Sequence, residues 1–162
     1  MLLHGGMDDS RSWTRQLNEL SDEFTVLAWD APGCGQSADV LESWRLPDFA
    51  DALAAWLHAV DVEQPHVLGL SWCSCVALEY YRRHSGMAAS LILASAYAGW
   101  AGSLPPEQGA TRHASVLAAA DLPREELLKG WSGFLSPAAP PDMFEAVLNI
   151  AASAFCSGRR RG

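Results

Sequence analysis

Apolar residues recur along this chain with two different periods. Trp13, Leu17 and Leu20 fall at i, i+4 and i+7, one face of a helix, behind Asp9-Ser10, which suits an N-cap. Phe24 to Trp29 (FTVLAW) is a short run of β-branched and aromatic residues and predicts a strand. Pro47-Asp48 predicts a helix start, and the helix that follows would bury Phe49, Leu53, Trp56, Leu57 and Val60. His66 to Leu70 predicts the next strand and Trp72 to His84 the next helix. Arg82, Arg83 and His84 fall in that helix's last turn, where cations suit its dipole, and Gly86 follows as a stop. Ser90 to Ala94 (SLILA) predicts another strand. Strands and helices therefore alternate up to about Ser95, the pattern of a parallel sheet with crossover helices. From Ala96 onward no strand-like run occurs. Three Pro- or Gly-bounded stretches, 105–120, 123–132 and 141–155, predict helices instead.

Composition narrows the function classes. The chain has 162 residues, enough for one domain with a real core, or one domain and an appendage. Its net charge is −8, which repels phosphates, so nucleic acid is not an expected partner. The basic run Arg159-Arg160-Arg161 reads as a solvated tail within a disordered segment, 156–162. No stretch of 18 apolar residues exists, so no membrane span is expected. Met1-Leu2-Leu3 leads straight into His4-Gly5-Gly6 without a signal-peptide pattern, and the expected location is the cytoplasm. Cys34, Cys73, Cys75 and Cys156 read as free thiols in that compartment, and Cys73-Ser74-Cys75 lacks the second pair that zinc spacing requires. No metal and no cofactor are expected.

Three segments carry candidate chemistry. The first is His4-Gly5-Gly6. The second is Asp30-Ala31-Pro32-Gly33-Cys34-Gly35-Gln36-Ser37, a turn-rich loop that matches neither a dinucleotide nor a phosphate-loop spacing. The third is Gly69-Leu70-Ser71-Trp72-Cys73, where Gly-x-Ser-x-small sits between a predicted strand and a predicted helix. In that context Ser71 would occupy a strained turn with positive φ, with a glycine where strand and helix backbones nearly touch. The N–H of Trp72, at the helix N-terminus, would then point toward an oxyanion formed at Ser71.

Taken in order, the three segments resemble the α/β-hydrolase family over about Met1 to Ser103. The stretch Ser95 to Glu107 is similar to the entry of that family's helical cap, and Gly-x-Ser-Trp is similar to its proline-iminopeptidase and esterase-like branch. The resemblance implies a partial α/β-hydrolase core over 1–96 and a helical cap segment over 97–155. It implies Ser71 as nucleophile, and Trp72 and Gly6 as oxyanion-hole donors, with Met7 the neighbour to consider if the loop register differs. It implies a small-molecule substrate with an ester, lactone or amide carbonyl, cleaved through an acyl-enzyme. Trp100, Trp131, Phe134 and Phe144 would line an apolar pocket under the cap or form the core of the cap helices. Cys73, where the family has glycine, is expected to strain the turn, so that Cys73→Gly should stabilise the chain.

The same resemblance sets expectations the sequence does not meet. The family's acid and histidine base follow the nucleophile on later strands. Here nothing strand-like follows Ser95. Of five histidines, His4 belongs to the oxyanion loop, His58 to a helix end, His66 to the far end of a strand, His84 to a helix terminus and His113 to a cap helix. The chain reads as the middle of the fold, truncated at both ends. One sheet face is therefore expected to be partly bare, with marginal stability and self-association through the uncovered face. The alternative is a non-catalytic binding module, or a fragment completed by a partner chain.

Overall fold

A computed structural model describes residues 1–120, 122–123, 125–126, 129 and 136–159, the side chains of 120 and 154–159 excepted. The chain divides into two units, Met1–Gly99 and Trp100–Gly162.

The first unit is a parallel sheet with helices. Its strands are β1 (Leu2–Leu3), β2 (Ala28–Trp29), β3 (His66–Leu70) and β4 (Ser90–Ala94), in the order β2-β1-β3-β4. All three pairings are parallel. A 3-10 turn (Ser10–Trp13) leads into α1 (Thr14–Leu20). The longer crossovers are α2 (Leu46–Ala59) and α3 (Trp72–Arg83). The expected alternation is present, and β3 and β4 have the bounds that the pattern predicts.

Register explains which faces are buried. Leu3, Trp29, Gly69 and Leu93 share one row across the sheet, and Val67 pairs with Leu91 on the same face. These residues pack with Ala50, Leu53, Leu57, Val76, Ala77 and Tyr80 in one core under α2 and α3. The opposite face carries the row Ala28, Leu2, Leu68 and Ile92. The 3-10 turn packs against β1 and β2, and Leu2 and Trp13 are buried. Toward β4 that cover ends. Leu68 is half-buried, and Ile92 is 52% exposed. The Trp13 indole N–H, buried beside this face, meets no acceptor among the described residues.

Several sequence expectations shift at their edges. The predicted strand at Phe24–Trp29 shrinks to Ala28–Trp29, and Phe24 is exposed. Leu2 N–H bonds to Leu27 C=O where the pairing with β1 starts. Val60 caps α2 from outside and Leu20 ends α1, and both are exposed. Ala50 and Ala54 take the buried positions of α2 instead, because small residues let α2 and α3 approach closely. The Arg83 guanidinium donates to Asp51 at 2.6 and 2.9 Å, and His84 meets the same carboxylate at 2.9 Å, tying the end of α3 to α2. These hydrogen bonds hold the Asp51 carboxyl below the usual range.

The second unit is helical: α4 (Gly99–Ser103), α5 (Pro106–Ala120) and α6 (Pro141–Arg159). The last helix runs past the predicted end at 155, into the segment expected to be a disordered tail, and 160–162 lie outside the described residues. Of the predicted helix over 123–132, only 125, 126 and 129 are described as helical. Among the described residues, no helix is long and apolar enough to cross a membrane.

The partly bare row has a direct consequence. The folded chain is expected to raise the fluorescence of ANS, and Ile92→Ser to lower that signal with the far-UV circular dichroism unchanged. A folded chain that leaves ANS dark would contradict this reading of the face.

Candidate active site

The site is assembled at the C-terminal ends of β1, β2 and β3. Ser71 follows β3 and caps α3, with φ 51° and ψ −113°. A residue with a Cβ reaches this region only under strain of order 1–3 kcal/mol, so the surroundings must enforce it. Three contacts do so. Gly69 lies so close to α3 that a Cβ there would sit 2.5 Å from the Cys73 carbonyl oxygen and 2.9 Å from Ser74 Cα. The Ser71 N–H donates to Ala94 C=O of β4 at 2.9 Å, continuing the ladder through the turn. The Ser71 carbonyl accepts from both the N–H and the hydroxyl of Ser74, at 2.9 and 2.5 Å. Ser74 was not singled out in the sequence; its signal is a serine three residues after the N-cap.

The His4-Gly5-Gly6 loop lies against this turn. A Cβ on Gly5 would be 3.9 Å from Ser71 Cβ, and one on Gly6 3.7 Å from Trp72 Cβ. The next residue, Met7, has φ 59°. His4 is fully buried and braces the loop. Its Nε2 accepts from Ala31 N–H at 3.1 Å, so the ring proton is on Nδ1, which donates to Gly5 C=O at 2.7 Å. One imidazole thus fastens the end of β1 to the end of β2.

The second loop is held by Asp30. Its carboxylate accepts from Ser10 N–H and Gln36 N–H, each at 2.8 Å, and its carbonyl accepts from the Ser37 hydroxyl. Burial alone raises the Asp30 pKa, but these hydrogen bonds outweigh it and the carboxyl lies below its usual range. Gly35 has φ 53°, and a Cβ there would fall 2.3 Å from Asp30 Oδ2. The loop is a folded turn around a carboxylate. Asp8, behind Met7, has the opposite balance, and burial raises its pKa.

Trp72 is half-buried, with its ring edge-on to Phe49 at 5.0 Å, and Phe49 is edge-on to Trp44 at 5.3 Å. Trp100 and Phe144 belong to the second unit, on α4 and α6, and both are half-buried. Trp131 and Phe134 lie outside the described residues. Among the described residues, no histidine hydrogen-bonds the Ser71 hydroxyl. His66 meets the Ser90 hydroxyl at 2.8 Å and His84 meets Asp51, while His58 and His113 are exposed on α2 and α5. No group of three or more His, Cys, Asp or Glu suited to a metal ion occurs among the described residues.

A strained serine between a parallel strand and a helix, flanked by a Gly-Gly loop, is a fold-level signature. The family model described as alpha/beta hydrolase fold matches residues 1–144. The chain belongs to the alpha/beta hydrolase family. A curated relative, the proline iminopeptidase of Heyndrickxia coagulans, is 31% identical over 97 residues, which is 59% of this chain and 34% of that protein. A solved thermophilic esterase from Thermogutta terrifontis superposes with a TM-score of 0.77 at 27% identity, covering 97% of this chain and 58% of the esterase. An esterase from Exiguobacterium antarcticum gives the same TM-score at 18% identity, covering 98% of this chain and 63% of its own, a likeness of fold. This alpha/beta hydrolase chain therefore spans about a third of the iminopeptidase and about three-fifths of the solved esterases.

The structure places the tight contact elsewhere than the Cys73 side chain, where the sequence expectation put it. That side chain is fully buried in the core cluster, and burial raises the thiol pKa well above the ordinary value. The tight contact with Gly69 is made by the Cys73 carbonyl, a group that glycine would also present. The thiol fills space in that core. Cys73→Gly is therefore expected to destabilise the chain by about 1–2 kcal/mol, from a lost buried side chain and a glycine in a helix. Denaturant unfolding measures it, and a gain in stability would restore the strain reading.

Proposed function

We propose that Ser71 is the nucleophile of a hydrolase acting on an ester, lactone or amide carbonyl, and that this chain alone does not turn over. The observation that carries the first half is the Ser71 backbone, φ 51° and ψ −113° at the strand–helix junction. Such a turn lifts a short hydroxyl clear of the sheet. In the reaction, Ser71 Oγ attacks the carbonyl carbon, a base takes the hydroxyl proton, and the carbonyl oxygen gains the charge. The N–H groups of Trp72 and Gly6 would receive that charge, Trp72 from the first turn of α3 and Gly6 from the loop against it. Collapse would expel the alcohol or amine, which takes up the proton, and leave an acyl-Ser71 for water to cleave. Trp100, Trp131, Phe134 and Phe144, within the expected cap over 97–155, are the proposed apolar lining for the acyl group.

The second half rests on the hydroxyl of Ser71, which meets no histidine among the described residues, and on the shorter span of this chain relative to the solved esterases. A positioned base contributes typically 10²–10⁴-fold, so without one the serine is a poor nucleophile. The same observations, with the bare sheet row, also support a second reading, a non-catalytic module that binds through its surface.

External base separates them. With imidazole added to stand in for the base, a fluorophosphonate probe is expected to label Ser71, found by peptide mass spectrometry and absent in Ser71→Ala. Turnover of an aryl ester without imidazole is expected to equal that of Ser71→Ala. Labelling that is unaffected by Ser71→Ala, or no labelling in imidazole, would contradict the nucleophile and leave the binding module.

A further inference from the structure

His4 has no exposed surface, and both of its ring nitrogens are engaged by backbone groups. Nε2 accepts from the Ala31 N–H at 3.1 Å. A neutral imidazole that accepts at one nitrogen carries its proton on the other. That proton, on Nδ1, goes to the Gly5 carbonyl at 2.7 Å. Ala31 thus selects the tautomer, and the tautomer decides what happens at Gly5. All of these groups belong to the first unit.

The Gly5 carbonyl and the Gly6 N–H are two ends of one peptide group. Among the described residues no peptide bond is cis, and in a planar trans peptide the C=O and N–H point in opposite directions. Drawing the carbonyl toward the buried ring therefore turns the Gly6 N–H away from it. Between two glycines this peptide rotates with little steric resistance, so its orientation has to be imposed by a neighbour. The Gly6 N–H donates to no acceptor among the described residues, and Met7, directly after it, is held at φ 59°. A Cβ at Gly6 would stand 3.7 Å from Trp72 Cβ, so this peptide lies beside the first residue of α3.

We propose that His4 is a positioning residue for the reaction proposed above. Its Nδ1–H, fixed in place by the Ala31 N–H, turns the Gly5–Gly6 peptide so that the Gly6 N–H meets the oxygen of a carbonyl attacked by Ser71. The end of β2 thereby sets an oxyanion donor after β1 through one imidazole. This role rests on the reading of Ser71 as nucleophile, and His4 itself touches neither substrate nor the reacting atoms. The ring performs two separable jobs. Fastening the end of β1 to β2 uses the Nε2 acceptor, while turning the peptide uses the Nδ1 donor. An asparagine at position 4 can set an amide N–H where Nδ1 stands, and a glutamine can set an amide oxygen where Nε2 stands. Each variant keeps one job and gives up the other.

Imidazole-assisted labelling by the fluorophosphonate separates the two jobs, with circular dichroism showing that each variant is folded. His4→Gln is expected to slow the bonding step on the order of 10²–10³-fold, the effect of losing one oxyanion donor, with the affinity for the probe little changed. His4→Asn is expected to label faster than His4→Gln, although it gives up the bond to Ala31. Equal losses in the two variants, or losses that track their stabilities, would leave His4 a brace only and overturn the proposal while Ser71 still labels in the parent chain. A parent chain that does not label would fail the nucleophile first and the proposal with it. Two measurements need no variant. Ring nitrogen NMR shifts of the parent are expected to show the neutral Nδ1–H form of His4 at neutral pH, and the Nε2–H form or the imidazolium would overturn the proposal. On labelling, the Gly6 amide proton is expected to move downfield as it donates to the phosphoryl oxygen, and a Gly6 amide that labelling leaves unmoved would overturn it as well.

Discussion

The first unit depends on one close approach, that of Gly69 in β3 to the backbone of Cys73 and Ser74 in α3. With no side chain at position 69, the helix can start directly over the strand end. The chain must then reverse within a single residue, and Ser71 takes the left-handed conformation that reversal requires. The cost of that conformation is met by ladder and cap hydrogen bonds on either side of it. The same approach sets α3 over the sheet, and α3 supplies Cys73, Val76, Ala77 and Tyr80 to the core.

The remaining site features are braces on this turn. His4 and Asp30 are ionisable residues used as fasteners, one imidazole and one carboxylate joining loops through backbone groups. Their chemistry is spent on holding the Gly5-Gly6 loop beside Ser71 and the Gly33–Gly35 turn around Asp30. The turn at Ser71 and its neighbouring loop are thus set by the first unit's own contacts.

The alternation of strands and helices and the Gly-x-Ser turn were legible in the sequence because they rest on local signals. A run such as SLILA, a Gly-x-Ser between strand and helix, and a proline at a helix start each act over a few residues. What was not legible depends on contacts between distant segments. The bounds of β2 are those of its pairing with β1, which the FTVLAW run does not encode. The roles of Asp30 and Ser74 are hydrogen bonds to backbone groups, invisible to any spacing rule. The contact at Cys73 was not legible either, because the motif points to the residue, while the close approach is to its carbonyl. A partly bare face was expected from the family resemblance, in which a helix that would cover it is missing here, but its location at Leu68 and Ile92 required the register.

The central claim is that the Gly69–α3 contact builds the strained turn at Ser71, and Gly69→Ala tests it most directly. The added methyl has no room beside the Cys73 carbonyl, so strand and helix must separate and Ser71 must relax. The account predicts a loss of stability of about 1–3 kcal/mol or more in denaturant unfolding. It also predicts loss of imidazole-assisted probe labelling at Ser71 under conditions where the variant remains folded. A Gly69→Ala chain with parent-like stability and parent-like labelling would contradict it.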